Sequence, residues 1–149
     1  MTTVRSFSGA GRRFEYKGEY KGAKIYDDYA HHPNEMRALI TAAQGLGYER
    51  IILVFQPHTY TRTKMLFDDF VRELKRVDIA ILAEIYAARE VNTIGVTPSQ
   101  LAHAAGVQCY ASMDEIVVTL QRITQPGDLV LTVGAGDIYK VGEKLASLK

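Results

Sequence analysis

The chain has 149 residues, 47% of them hydrophobic, with 18 Lys and Arg against 17 Asp and Glu. That suits one globular domain with a full core, and a net charge of +1 with no like-charge run argues against nucleic-acid or acidic-membrane binding by bulk electrostatics. No apolar segment is long enough to span a bilayer, no secretory signal opens the chain, and the single Cys109 permits no internal disulfide, so a cytoplasmic protein is expected.

Residues 1–11, MTTVRSFSGAG, read as a linker or the remnant of a preceding domain, and residues 12–149 as the domain itself. Phe14, Tyr16 and Tyr20 alternate, and Lys21-Gly22 turns into a strand from Lys24 to about Tyr29, so an antiparallel hairpin is expected at a sheet edge. Pro33 opens a helix whose Met36, Leu39, Ile40, Ala43 and Leu46 share a face, ended by Gly45 and Gly47. The unbroken apolar run Ile51–Phe55 marks a strand covered on both faces. QPHTYTR (56–62) reads as a loop, followed by a helix with Leu66, Phe67, Phe70, Val71 and Leu74 inward. Ile79–Ala83 is a second covered strand, and Tyr86–Val96 a long polar loop. Thr97-Pro98-Ser99-Gln100 and Ser112-Met113-Asp114-Glu115 are capping boxes that each open a helix. Between those helices Val107–Tyr110 reads as a short strand in which Cys109 serves as a small buried hydrophobe. Pro126-Gly127 turns into the strand Leu129–Val133, and Gly134-Ala135-Gly136 leads to a last helix with Ile138, Val141, Leu145 and Leu148 inward.

Strand–helix alternation of this kind implies an α/β fold, a three-layer, Rossmann-like doubly wound sheet. About five parallel strands plus one antiparallel edge strand are expected. Parallel strands end on one side, so topology gathers the turns DDYAHHP, QPHTYTRT, EIYAAREVNT and GAGD at one rim, where open α/β sheets bind ligands. Asp27 and Asp28 beside His31 and His32 exceed what a turn needs, which favours function. His58 and Arg62 join them across the rim, and the planar fork of Arg62 suits a carboxylate. Gly134 and Gly136 either make a tight connection or present backbone N–H groups to a phosphate or ribose. They are no dinucleotide fingerprint, because Tyr139 stands at the third glycine position and the stretch follows the last strand. Adjacent histidines are not the helical i, i+4 zinc pair, so no tight metal cage is expected, and contact with a substrate-bound Mg²⁺ stays open. A phosphoacceptor receiver domain is rejected, since Phe55 or Ala83-Glu84 stands where its Asp belongs and Gly134 where its Lys belongs. His103 reads as structural or solvent-facing, and Tyr16, Tyr20, Tyr48 and Tyr110 as packing.

RRFEYKG (12–18), DDYAHHPNE (27–35), VFQPHTYTRT (54–63), EIYAARE (84–90) and GAGDIYKVGE (134–143) together resemble the C-terminal domain of the Mur ligases of peptidoglycan synthesis. The resemblance is to the branch that joins L-alanine to UDP-N-acetylmuramate, and it covers nearly the whole chain from Arg12. It implies a three-domain enzyme: an N-terminal domain for the UDP sugar, a central domain for ATP, and this domain closing over ATP and bringing the amino acid. The implied chemistry phosphorylates the muramate carboxylate with ATP and Mg²⁺, after which the L-alanine amine attacks the acyl phosphate. Asp28 would hold the ATP ribose, with Tyr29 near the nucleotide and Gly134, Gly136 and Asp137 as further nucleotide-side candidates. His31, His58 and Arg62 would orient L-alanine, with Arg62 on its carboxylate; Asp27 and His32 are secondary candidates. Thr59 departs from the Arg that many relatives carry there, and Arg89 from a frequent glycine. No G-x-x-x-x-G-K-[ST] phosphate loop occurs, so ATP and Mg²⁺ are expected mainly on the central domain and the chain alone is expected to be inactive. The alternatives are a muropeptide-recycling ligase domain, or a stand-alone non-catalytic module that binds a nucleotide or amino acid.

Overall fold

A computed structural model describes residues 13–148, so the expected linker over 1–11 lies outside the described residues. The hairpin forms as β1 (Glu15–Tyr20) and β2 (Ala23–Asp28), turned by Lys21 and Gly22 at φ 52° and 84°. Two consecutive left-handed residues match the twist of the flanking strands. Then come α1 (Pro33–Gln44), β3 (Arg50–Phe55), α2 (Tyr60–Met65), α3 (Phe67–Leu74), β4 (Ile79–Leu82) and α4 (Pro98–Ala105). The chain closes with β5 (Gln108–Cys109), α5 (Met113–Ile123), β6 (Asp128–Val133) and α6 (Tyr139–Ser147). The six strands lie in the order β1-β2-β6-β3-β4-β5. Only β1 runs antiparallel, and its register shifts between Tyr16 and Gly18.

Period-two side chains divide the core between the two faces of the sheet. From β3, Ile51, Leu53 and Phe55 join the cluster under α1, α3 and α4, whereas Ile52 and Val54 join the one under α5 and α6. Both faces are therefore covered, as the unbroken apolar runs predict. Both capping boxes also form: Thr97 and Ser112 accept from the backbone N–H groups of Gln100 and Glu115, whose side chains reach back.

β6 sits between β2 and β3 although it comes last in sequence. Its own helix α6 packs on one face, while the helices after β2 and β3 pack on the other. The connections part above the end of β6, which makes that point of the rim the natural crevice.

Four local expectations need correction. QPHTYTR is not all loop: α2 starts at Tyr60, capped by Thr59, and the helical path breaks at Leu66 before α3. Thr59 reaches this position at φ 66°, and without a Glu or Gln three residues on the cap is invisible to the capping-box pattern. Leu46 lies beyond the end of α1 at Gly45 and is 39% exposed. Cys109 is only half-buried, because β5 is a two-residue edge strand. Tyr16, expected to pack, is 51% exposed on the edge strand β1.

At the opposite, amino end of the sheet, Arg50 pins β3 to β6. Its Nε and Nη2 donate to the two oxygens of buried Asp128 at 2.9 and 2.8 Å, and Nη2 also donates to Ile123 O. Arg50→Met would leave the carboxylate buried without its cation. A loss of about 3 kcal/mol in urea-unfolding free energy is expected, with the rim signals in an NMR spectrum unmoved.

Candidate functional site

The turn after β2 is built by carboxylates that face inward. Asp27 is fully buried, and Thr132 Oγ1 of β6 donates to it at 2.6 Å. Asp28 is 3% exposed; its Oδ1 accepts from Phe14 N at 2.7 Å and its Oδ2 from Ala30 N at 2.9 Å, with Arg13 Nη1 at 3.5 Å. Burial pushes the Asp28 carboxyl up, opposed by those two backbone N–H groups and Arg13. Asp28, expected to meet a ribose, has both carboxylate oxygens engaged by backbone N–H groups. Tyr29 is the residue of this turn that stands out into solvent, 41% exposed.

His32 also has a structural task that the sequence did not reveal: it is the N-cap of α1, its Nδ1 accepting from Asn34 N at 3.1 Å. Glu35 completes the cap, with Oε1 accepting from both His31 N and His32 N at 3.1 Å. Its Oε2 takes Arg13 Nη2 at 2.9 Å. Burial disfavours the ionised Glu35, but Arg13 and the two backbone donors outweigh it and hold the carboxyl down to about 2.

From β3 come His58 and Arg62. The His58 ring stacks on Tyr86 at 5.4 Å and lies 5.6 Å from the His31 ring. Its backbone is clamped to the loop after β4, Tyr86 N donating to Pro57 O and Thr59 N to Tyr86 O, both at 2.8 Å. Burial, then the neighbouring His31 and Arg62, lower the His58 pKa, so its imidazole is neutral at pH 7, with a buried Nδ1 that has no hydrogen-bond partner. Arg62 Nη1 lies 3.5 Å from His58 O. Glu90 accepts from Tyr60 N and Thr61 N at the positive start of α2. Between His32, Thr59, Arg62, Met65 and Glu90 lies a surface hollow of ≈ 470 Å³.

The GAGD turn closes the rim by close packing. Gly134 stands at φ 154°, and a Cβ there would lie 2.9 Å from Gln56 O. At Gly136 a Cβ would meet Gln56 Oε1 and the Tyr86 ring at 2.6 Å. Asp137 is joined to Gln56 twice, through Gln56 Nε2 to Oδ1 at 2.8 Å and Asp137 N to Gln56 Oε1 at 3.1 Å. Gly134 N donates to Asp28 O, and α6 begins only at Tyr139, behind Ile138, which makes no side-chain cap. The Gly134 and Asp137 N–H groups of this turn are thus turned to the protein. Among the described residues no three His, Cys, Asp or Glu side chains converge on a metal position. The residues present suit a carboxylate and an amine instead.

The structure therefore brings His31, His58 and Arg62 together, seats Tyr29 and Asp137 on the same rim, and turns Asp27 and Asp28 beneath it. Arg13, Glu35, Gln56, Tyr86 and Glu90 were not anticipated as site residues. Of these, only Glu35 left a sequence signal, three residues after His32 in a capping-box position.

Several shifted groups bear on the acid stability. Glu35 falls from 4.5 to about 2 on folding, so its contribution is complete above pH 4.5 and is lost as the pH drops toward 2. The lowered His58 acts in the same direction, costing stability as the pH falls below 6.5, whereas the raised Asp28 acts oppositely. Urea titrations from pH 7 to pH 2.5 should show falling stability, and Glu35→Gln should flatten the part below pH 4.5.

The family profile described as "Mur ligase, glutamate ligase domain" matches residues 12–136. The UDP-N-acetylmuramate–L-alanine ligase of Agathobacter rectalis is 45% identical over 97% of the chain, and that of Clostridium perfringens 48% over 96%. The chain spans about a third of their length, 33% and 32% respectively. In three dimensions, the solved UDP-N-acetylmuramate–alanine ligase of Thermotoga maritima superposes with a TM-score of 0.72 at 23% identity, over 95% of this chain and 30% of that one. Fold, sequence profile and relatives agree: the chain belongs to the Mur ligase family, as its C-terminal, glutamate-ligase-type domain.

Proposed function

We propose that this rim is the amino-acid half of the active site of an ATP-dependent, cytoplasmic ligase that joins L-alanine to UDP-N-acetylmuramate in peptidoglycan synthesis. The observation that carries this reading is that Arg62, on the wall of an open hollow, lies against a neutral His58 whose ring neighbours that of His31. An α-amino acid presents a carboxylate and an ammonium group a few bonds apart. Arg62 supplies the forked cation for the first, and imidazole nitrogens supply acceptors for the second. Relatives at 45–48% identity that carry this enzyme's name support the choice of substrate.

In the proposed reaction ATP phosphorylates the muramate carboxylate, releasing ADP. The amine of L-alanine then attacks the acyl carbon, forming the amide and expelling phosphate. The attacking nitrogen must lose its protons, which neutral imidazoles at the rim can accept. ATP and Mg²⁺ are held mainly by the parts of the protein outside these 149 residues, with Tyr29 on the nucleotide side and Asp28 acting through the shape of its turn. Gly134, Gly136 and Asp137 form the wall beside it. Residues 12–149 act as the domain that closes over both substrates.

Arg62→Ala in the complete protein should raise the KM for L-alanine roughly 10- to 100-fold, the range of a lost hydrogen bond to a charged group, and leave the KM for ATP nearly unchanged. Equal effects on both would remove the role assigned to Arg62. The isolated 149-residue chain, given all substrates, should release no phosphate in a coupled assay; turnover would overturn the division of labour proposed above.

A further inference from the structure

His31 and His32 are neighbours in sequence, yet their ring nitrogens meet opposite partners. Nδ1 of His31 lies 3.2 Å from Tyr29 O and 3.6 Å from Glu35 Oε1. A carbonyl and an ionised carboxylate only accept, so a lone pair on Nδ1 would face two oxygens. The proton therefore belongs on Nδ1, and in the neutral ring Nε2 carries the lone pair. His32 is the reverse: the Asn34 N–H donates to its Nδ1 at 3.1 Å, which places the proton on Nε2.

Arg13 controls this arrangement from outside the turn. It bridges Asp28 at the end of β2 and Glu35 in the first turn of α1, the carboxylates on either side of residues 29–34. By taking Oε2 of Glu35 it leaves Oε1 for the His31 and His32 N–H groups and against the His31 ring. Arg13 itself is seated by its neighbour: Phe14 donates its N–H to Asp28, stacks on Tyr26 at 4.3 Å and is 2% exposed. The rings of Tyr29 and His58 flank His31 at 5.5 and 5.6 Å.

We propose that Arg13 and Glu35 are positioning residues that hold His31 as its Nδ1–H tautomer, so that Nε2 is the nitrogen offered to the amino group of the incoming amino acid. The tautomer follows from the geometry alone; the contact with an amine rests on the ligase function proposed above. An ammonium or amine donates to a bare Nε2, whereas an Nε2–H would repel it. Two adjacent histidines in opposite tautomers thus divide the work: His32 caps the helix and borders the hollow, and His31 offers a bare Nε2.

Long-range ¹H–¹⁵N NMR of the histidine-labelled 149-residue chain, at a pH where the rings are neutral, reads both tautomers in one spectrum. The expected result is Nδ1–H for His31 and Nε2–H for His32. Arg13→Ala should move the His31 tautomer ratio roughly fivefold toward Nε2–H and leave His32 unchanged, with Arg13→Lys partly restoring it. Finding His31 as Nε2–H in the unaltered chain overturns the proposal without any variant. A lowered Tm in Arg13→Ala with the His31 ratio unmoved also overturns it, since Arg13 would then be merely structural. In the complete protein Arg13→Ala should raise the KM for L-alanine and spare that for ATP. A shifted tautomer with an unchanged L-alanine KM overturns the amine contact while the tautomer assignment stands.

Discussion

The late insertion of β6 between β2 and β3 is the constraint on which the rim depends. Because β6 arrives last and in the middle, the turn that follows it must pass between two turns already in place. The space left is narrow enough that a single Cβ at Gly136 would strike both Gln56 and Tyr86. Glycine is required there by contact with the neighbouring chain. The Gln56–Asp137 pair and the clamp between Pro57, Thr59 and Tyr86 then join the ends of β3, β4 and β6 into one surface.

On that surface the charges are sorted by depth. The carboxylates of Asp27 and Asp28 lie beneath the turn, where a hydroxyl, backbone N–H groups and the Arg13 fork stabilise them. The imidazoles of His31 and His58 lie above, their rings 5.6 Å apart, and the guanidinium of Arg62 borders a hollow open to solvent. The buried acids contribute rigidity, because each holds segments from two different parts of the chain: Asp27 joins β2 to β6, and Asp28 joins β2 to the residues that enter β1.

Much of this was legible in the amino acids. Apolar runs at Ile51–Phe55 and Leu129–Val133, the hairpin at Lys21-Gly22 and the two capping boxes each carry a local pattern, and the structure contains all of them. The convergence of His31, His58 and Arg62 was also readable, since parallel strands send their following turns to one side. What escaped was the direction in which side chains turn once there. Nothing in the neighbourhood of Asp28 reveals that Phe14 N would reach it across 14 positions. Arg13, Gln56 and Tyr86 were invisible for the same reason, their partners being distant along the chain. The Thr59 cap was missed because a non-glycine residue at φ 66° violates the local preference on which such expectations rest.

Both lateral borders of the sheet are poor templates. β5 offers only two residues on one side, and on the other β1 loses register between Tyr16 and Gly18. A neighbouring polypeptide seeking to extend the ladder would find too few aligned amides at either margin. Backbone pairing with a second polypeptide is therefore disfavoured at both margins.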